Sequence, residues 1–424
     1  INEFINFLIL KNMKLRNLMY ATMIACAFAS CSNDDVPTPD QGGANAEGTV
    51  LSVKFDAPLA TKADGSIDEK IDNLYMYVFS NGVLEVIGTS ESENSKIASA
   101  EVSLSDKSVL LVANAAPIVD FQPGTPYETV LKALSVNYDF ETTEKDALSM
   151  NSKLYTGLTI TPNKVNCLGF PQLESGNVYV GGITETEAKT VVKMYRNVAK
   201  VVLTSVKTKE APTGQNWSAY KEPQLDIENV YILQAKKSTK LVPVDASEHG
   251  ATECDNVFLS GQNFGNLDYD DDLYILSAAE EYNGYNVPNS DELWATVTNT
   301  GVTTNLPFYV YENTNDDYKT LLVVAGRFSY LNQSGVRTSV PGTRYYPIAI
   351  GHTEAQFSDR AKELLALRSI NDGMAGVYRN LQYNVTLTVV GPGYDRPTGG
   401  GDPTVLEAQV EVVAYGDVNQ DVEM

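Results

Sequence analysis

The sequence predicts a mainly β protein, two tandem β-sandwich domains with a few short helices, and three observations carry that prediction. The 424 residues are 43% hydrophobic and 20% charged, too apolar for a disordered chain and enough for two cores that need no disulfide or metal staple. The 24 tyrosines, with frequent Thr, Val, Asn and Gly, suit half-buried pleated surfaces joined by tight turns. Two segments of the first half also recur, in the same order, in the second half.

The N-terminus stands apart from that body. Met13, Lys14 and Arg16 form a short basic region, residues 18–29 an apolar one, and Phe28-Ala29-Ser30-Cys31 places small residues just ahead of a cysteine. This is the layout of a bacterial lipoprotein signal with Cys31 as the lipid acceptor. An apolar run of about a dozen residues falls short of the ~20 that a membrane-spanning helix takes. Residues 1–30 are therefore read as upstream residues and signal peptide, with Met13 marking residues 1–12 as upstream translation. Residues 31–47, rich in Asp, Asn, Pro and Gly, are read as a flexible tether.

The first sandwich is expected over residues 48–186. Val50 opens a strand in which Leu51, Val53 and Phe55 point one way and Ser52, Lys54 and Asp56 the other. Residues 71–79 run into Asn81-Gly82, a hairpin turn signal, and residues 83–87 return as the partner. Residues 107–114 suit a central strand, and residues 127–135, after Pro126, a short helix. Charged residues 185–189 mark the break between domains.

The second sandwich is expected over residues 187–390. Its strand 198–206 matches the leading strand of the first, residues 227–233 echo 71–79, and residues 319–326 echo 107–114. The spacing grows from 36 residues (Ile71 to Lys107) to 92 (Ile227 to Lys319), so the second copy holds an insertion. Residues 357–367 read as a helix, 210–223 and 263–272 as surface loops, and 381–389 as the closing strand. Residues 391–424 then form a Gly/Pro-rich arm and one last strand, with Leu406, Ala408, Val410, Val412 and Ala414 on one face.

Several function classes fall away. A formal net charge of −23 repels nucleic acid phosphates. His249 and His352 show no metal-ligand spacing, and no nucleophile elbow, P-loop or dinucleotide fingerprint occurs, so no catalytic residue, cofactor or metal is expected. Asp268, Asp270, Asp271 and Asp272 lack the glycine and distal glutamate of a calcium loop and read as a solvated acidic loop. Cys167 and Cys254 read as two free thiols, although an exported compartment would permit a disulfide.

Assembly is the better-supported class. If the first strand were lost, the sheet edge left open would present unpaired N–H and C=O groups and an apolar groove, which another chain's strand could fill. Val410, Val412 and Ala414 of a neighbour would then replace Leu51, Val53 and Phe55. The pattern equally allows the last strand to fold back onto its own second domain.

Residues 73–79, Tyr195-Arg196-Asn197-Val198-Ala199-Lys200-Val201, Pro307-Phe308-Tyr309-Val310-Tyr311-Glu312-Asn313 leading into 321–326, and Tyr378-Arg379-Asn380-Leu381-Gln382-Tyr383, with the signal and tether, resemble the fimbrillins, FimA-like and minor-fimbria subunits of type V pili in Bacteroidales. The resemblance covers nearly the whole mature chain. It implies two transthyretin-like β-sandwich domains and a structural pilin exported as an outer-membrane lipoprotein precursor, then assembled into an extracellular fimbria involved in adhesion. A surface trypsin-like protease would remove the first strand (Val50, Leu51, Val53, Phe55), cutting between Lys62 and Ala63 where well-known members present arginine. The donor strand would be Leu406, Ala408, Val410, Val412 and Ala414 of an identical subunit. Minor anchor and tip subunits would be further partners, with a host or bacterial ligand. Alternative roles are a lipid-anchored anchor subunit, a tip adhesin, or a surface glycan-binding lipoprotein using Trp217, Trp294 and tyrosines as stacking platforms.

Overall fold

A computed structural model describes residues 48–56, 70–90, 96–115, 121–134, 137–139, 147–214, 217–236, 238–241, 243, 276–277, 296–351, 353–396 and 406–415. The expectations for Cys31, Lys62, Ala63, His249, Cys254, the 268–272 acidic loop, Trp294 and His352 lie outside them. The fold is mainly β, as predicted, and no helix among the described residues is long and apolar enough to cross a membrane.

The first half supplies β1 (Val50–Asp56), β2 (Leu74–Ser80), β3 (Val83–Ser90), β4 (Ile97–Glu101), β5 (Lys107–Ala113), helix α1 (Tyr127–Leu134), β6 (Asn137–Asp139), β7 (Met150–Asn151), β8 (Tyr155–Leu158), β9 (Val165–Leu168) and β10 (Val178–Tyr179). Helix α2 (Glu185–Lys189), β11 (Val192–Lys193) and β12 (Tyr195–Arg196) complete it. All but β6 of these strands form one sheet with the path β10-β9-β1-β4-β3-β2-β5-β7-β12; β11 pairs with β1 and β8 with β5. The hairpin β2–β3 turns through Asn81 (φ 51°) and Gly82 (φ 79°), the left-handed pair that an Asn-Gly turn requires.

The second half supplies β13 (Val198–Thr208), β14 (Lys221–Leu233), β15 (Ser238–Lys240), β16 (Leu276–Ser277), β17 (Thr296–Val297), β18 (Val302–Tyr311), β19 (Leu321–Leu331), β20 (Arg337–Ser339), β21 (Arg344–Ala349), helix α3 (Asp359–Ala366), β22 (Leu381–Val389) and β23 (Leu406–Ala414). One sheet runs β18-β13-β22-β23 and another β16-β14-β19-β20, with β17 on β14 and β21 on β19; β15 pairs with β6 of the first half. The largest of the apolar clusters among the described residues runs through both halves, from Leu51, Val53 and Phe55 to Val385, Leu387 and Val412.

The internal repeat has a structural counterpart. The segments that echo one another pair in the same way, β5 antiparallel to β2 and β19 antiparallel to β14. The leading strand of each half also sits between one antiparallel and one parallel neighbour: β1 between β4 and β9, β13 between β18 and β22.

Three local readings change. The charged residues 185–189 form a short helix, because Thr184 caps it by accepting from the Glu187 amide and Lys189 pairs with Glu185 one turn away. Pairing to first-half strands continues ten residues past 186, to Arg196 on β7. The 210–223 loop ends at residue 220, since Lys221 already pairs with Leu331.

Candidate functional site

β1 is an interior strand. It runs antiparallel to β4, with Leu51 opposite Ala100 and Val53 opposite Ala98, and parallel to β9, with Ser52 beside Cys167. Its far end pairs with β11, Phe55 beside Val192 and Asp56 beside Lys193. Further bonds fix its ends: Val50 N–H donates to the Lys164 carbonyl (3.1 Å), Phe55 N–H to Lys96 (2.9 Å), and Met194 N–H to Asp56 (3.3 Å). The buried Asn166 amide closes the 161–166 turn on the carbonyls of Thr161 (3.0 Å) and Lys164 (3.1 Å), and also reaches Val50 (3.4 Å). At Gly169 (φ 85°) an added Cβ would lie 2.2 Å from the Lys54 carbonyl, so glycine is what lets β1 come this close.

Leu51, Val53 and Phe55 are wholly inside, as their alternation predicts. Burying three such side chains is worth about 1.5–3 kcal/mol each. On the opposite face Ser99 donates to Ser52 (3.0 Å) beside Cys167, a buried free thiol that burial, helped by Glu174, pushes up to about 11. Loss of β1 would thus leave a slot walled by strands on both sides, where the sequence suggested a single open edge.

The last strand pairs within its own chain, the second of the two outcomes its pattern allows. β23 lies antiparallel on β22 of its own chain in a nine-pair register running from Leu381 opposite Ala414 to Val389 opposite Leu406. Val410, Val412 and Ala414 are buried there, while Leu406 and Ala408 are half-buried. Its other edge is clasped where Ser358 N–H donates to the Val412 carbonyl (2.8 Å), and Lys209 pairs with Glu407 (3.0 Å). Folded back, the strand pairs the edge of β22 and adds Val410, Val412 and Ala414 to the buried side of that sheet.

The root of the arm is also docked. Arg344 donates to the carbonyls of Pro392 (2.8 Å) and Gly393 (2.8 Å), and the Tyr346 hydroxyl donates to Gly391 (3.2 Å). Trp217 packs on Gly391, where an added Cβ would meet the indole at 2.7 Å. Trp217 in turn contacts Tyr220 (5.4 Å), which stacks on Tyr330 (3.8 Å), so these rings spend their faces on one another.

The halves are joined by a feature that sequence reasoning missed. Tyr195-Arg196-Asn197 and Tyr378-Arg379-Asn380 are the same triplet, each just ahead of one strand of the parallel pair β13 and β22. They bond reciprocally: the Arg196 amide donates to Asn380 Oδ1 (3.1 Å), and Arg379 Nη1 to Asn197 Oδ1 (2.9 Å). Glu312 lies against the knot, held by Arg368 through two bonds (2.6 and 2.8 Å) and by the Arg379 amide (3.1 Å), all buried. The Tyr415 ring closes over Arg196 at 3.9 Å, and its amide donates to the Asn380 carbonyl (3.2 Å). The duplicated triplet was the signal available in the sequence.

The fold as a whole is similar to solved fimbrilin structures. The chain matches a fimbrilin (FimA) of Porphyromonas gingivalis with a TM-score of 0.54 at 20% identity, covering 88% of this chain and 99% of that one. It matches a Parabacteroides distasonis protein assigned to cell adhesion with a TM-score of 0.54 at 19% identity, covering 86% and 98%. Residues 49–229 match the family of the major fimbrial subunit protein FimA. Across 410 residues the chain is 21% identical to the major fimbrium subunit FimA type-2 of P. gingivalis, covering 91% of this chain and 93% of that protein. Together these likenesses support a fimbrillin-family reading of the chain.

Proposed function

We propose that this protein is the repeating subunit of a surface fimbria, exported as a lipoprotein on Cys31, and that it polymerises when β1 is removed and the β23 of another copy takes its place. The observation that carries this reading is the seat of β1. A strand between β4 and β9, with three buried side chains and unpaired backbone on both sides once it leaves, makes a slot that only another strand can fill.

β23 has the matching alternation, with Val410, Val412 and Ala414 already accustomed to burial. Residues 397–405 alone span about 30 Å when extended, so the arm reaches a neighbour even with its root docked. A cut after Lys62 would detach residues 31–62, lipid and β1 together, coupling release from the membrane to opening of the slot. The role is structural, and no reaction is assigned to the chain.

The test is truncation. A chain ending at residue 396 should fold, be cut and form no fibres by electron microscopy, while the full chain treated in the same way does. Fibres from the truncated chain would overturn the reading. Surface-sheared subunits should begin at Ala63; lipidated Cys31 on every assembled copy would support an anchor subunit instead.

A further inference from the structure

We infer that Arg196 and Tyr415 are positioning residues that couple the two ends of the chain, so that loss of β1 is what frees β23. The inference rests on the strand-exchange reading and adds the order of events.

A subunit that must give away its last strand faces a hazard: a donor freed before the slot opens leaves the edge of β22 unpaired and its own Val410, Val412 and Ala414 in water with nowhere to go. The structure ties the two events together through five residues. β1 ends at Phe55 and Asp56, which pair with Val192 and Lys193, and Asp56 also accepts from the Met194 amide. Two residues further on, Arg196 is fully buried with Tyr415 over its guanidinium at 3.9 Å. Tyr415 directly follows β23, and Lys200 Nζ lies 5.5 Å from the same ring. One short connector therefore touches the strand that is lost at one end and the strand that is donated at the other.

When β1 leaves, residues 192–194 lose their ladder partner and the Asp56 acceptor, so the connector ahead of Arg196 is freed on that side while Arg196 keeps its pairing with Met150 on β7. The backbone bond from Arg196 to Asn380 and the ring contact then hold β23 less tightly at its C-terminal end. The clasp at Ser358 and the β22 ladder remain, so the strand peels from Tyr415 back towards Leu406. The two states differ in contacts at both sites, which is what coupling between sites requires.

The experiment is hydrogen exchange of residues 406–415 in dilute full-length mature protein, before and after cutting at Lys62. A ring over a desolvated cation sets the expected size, about ten- to thirty-fold faster exchange on loss of β1. Tyr415→Ala should give that increase in the uncut chain, with cutting then adding less than three-fold, whereas Tyr415→Phe should behave as the unaltered protein. Val192→Ala, which keeps β1 but thins its contact with the connector, should loosen β23 several-fold. Amides of β14 and β19 serve as the control for global folding and should not change. Unchanged protection of 406–415 after cutting, or an effect of Tyr415→Phe equal to that of Tyr415→Ala, would overturn the coupling. Fibres formed without any change in β23 protection would leave strand exchange standing and remove the coupling; loosening of β23 without fibres would do the reverse.

Discussion

Ala414→Leu is the substitution whose effect on assembly the structure sets most sharply. In the exchanged register Val410, Val412 and Ala414 take the places of Leu51, Val53 and Phe55, and among these three core-facing positions the large deficit is alanine where the buried Phe55 ring was. A Phe-to-Ala loss in a core costs about 3–5 kcal/mol. Leucine restores about three carbons at ~0.8 kcal/mol each, or roughly 2 kcal/mol. At home Ala414 is buried opposite Leu381, and overpacking there costs about 1–3 kcal/mol. Both terms push the strand outwards, and a net shift of about 3 kcal/mol corresponds to roughly a hundred-fold. The assay is the critical subunit concentration for fibre formation after cutting at Lys62, read by sedimentation, with Gln409→Leu on the exposed face as a control that leaves it unchanged. A monomer destabilised by Ala414→Leu whose critical concentration does not fall would refute the placement of Ala414 at the Phe55 position.

Gly169→Ala should force β1 away from β9, because its Cβ meets the Lys54 carbonyl and the φ of 85° disfavours any side chain; exchange of amides 50–56 should rise at least about ten-fold. Glu312→Gln leaves the guanidinium of Arg368 buried without its carboxylate and should cost about 3–5 kcal/mol, lowering the urea midpoint by about 1 M, whereas Glu363→Gln at the exposed Arg360 pair should cost under about 0.5 kcal/mol. The Cys167 thiol, raised by burial to about 11, is almost wholly protonated at pH 8, so in a Cys254→Ser chain lacking residues 1–31 its alkylation should climb about ten-fold per pH unit up to that value. Removing β1 uncovers Ser52's side of the thiol and should bring the plateau down towards the usual thiol range; a plateau already near 9 in the intact chain would contradict its burial.

Strand identity was legible in the sequence because side-chain period reports burial directly. The alternation of Leu51, Val53 and Phe55 gave the buried face of β1, and residues 381–389 gave the bounds of β22. Pairing was less legible, because the partners lie far along the chain: β9 is more than a hundred residues from β1, and nothing local to residues 50–56 shows that they are flanked on both sides. The Gly/Pro content of residues 391–393 spoke for a flexible arm, yet Arg344, Tyr346 and Trp217, from two distant segments, satisfy its carbonyls and cover Gly391. The polar knot of Arg196, Asn197, Arg379 and Asn380 escaped for a similar reason, since buried charges carry no periodicity, and only the repetition of the Tyr-Arg-Asn triplet marked it.

The most direct test of strand exchange is a mixed disulfide. Val53, whose place Val412 would take, lies opposite Ala98 on β4, whereas Val412 at home lies opposite Tyr383. Cut subunits carrying Ala98→Cys, mixed with cut subunits carrying Val412→Cys, should become cross-linked between chains, and uncut mixtures should not. Fibres in which Val412→Cys links only to Tyr383→Cys of its own chain would show that β23 never leaves home.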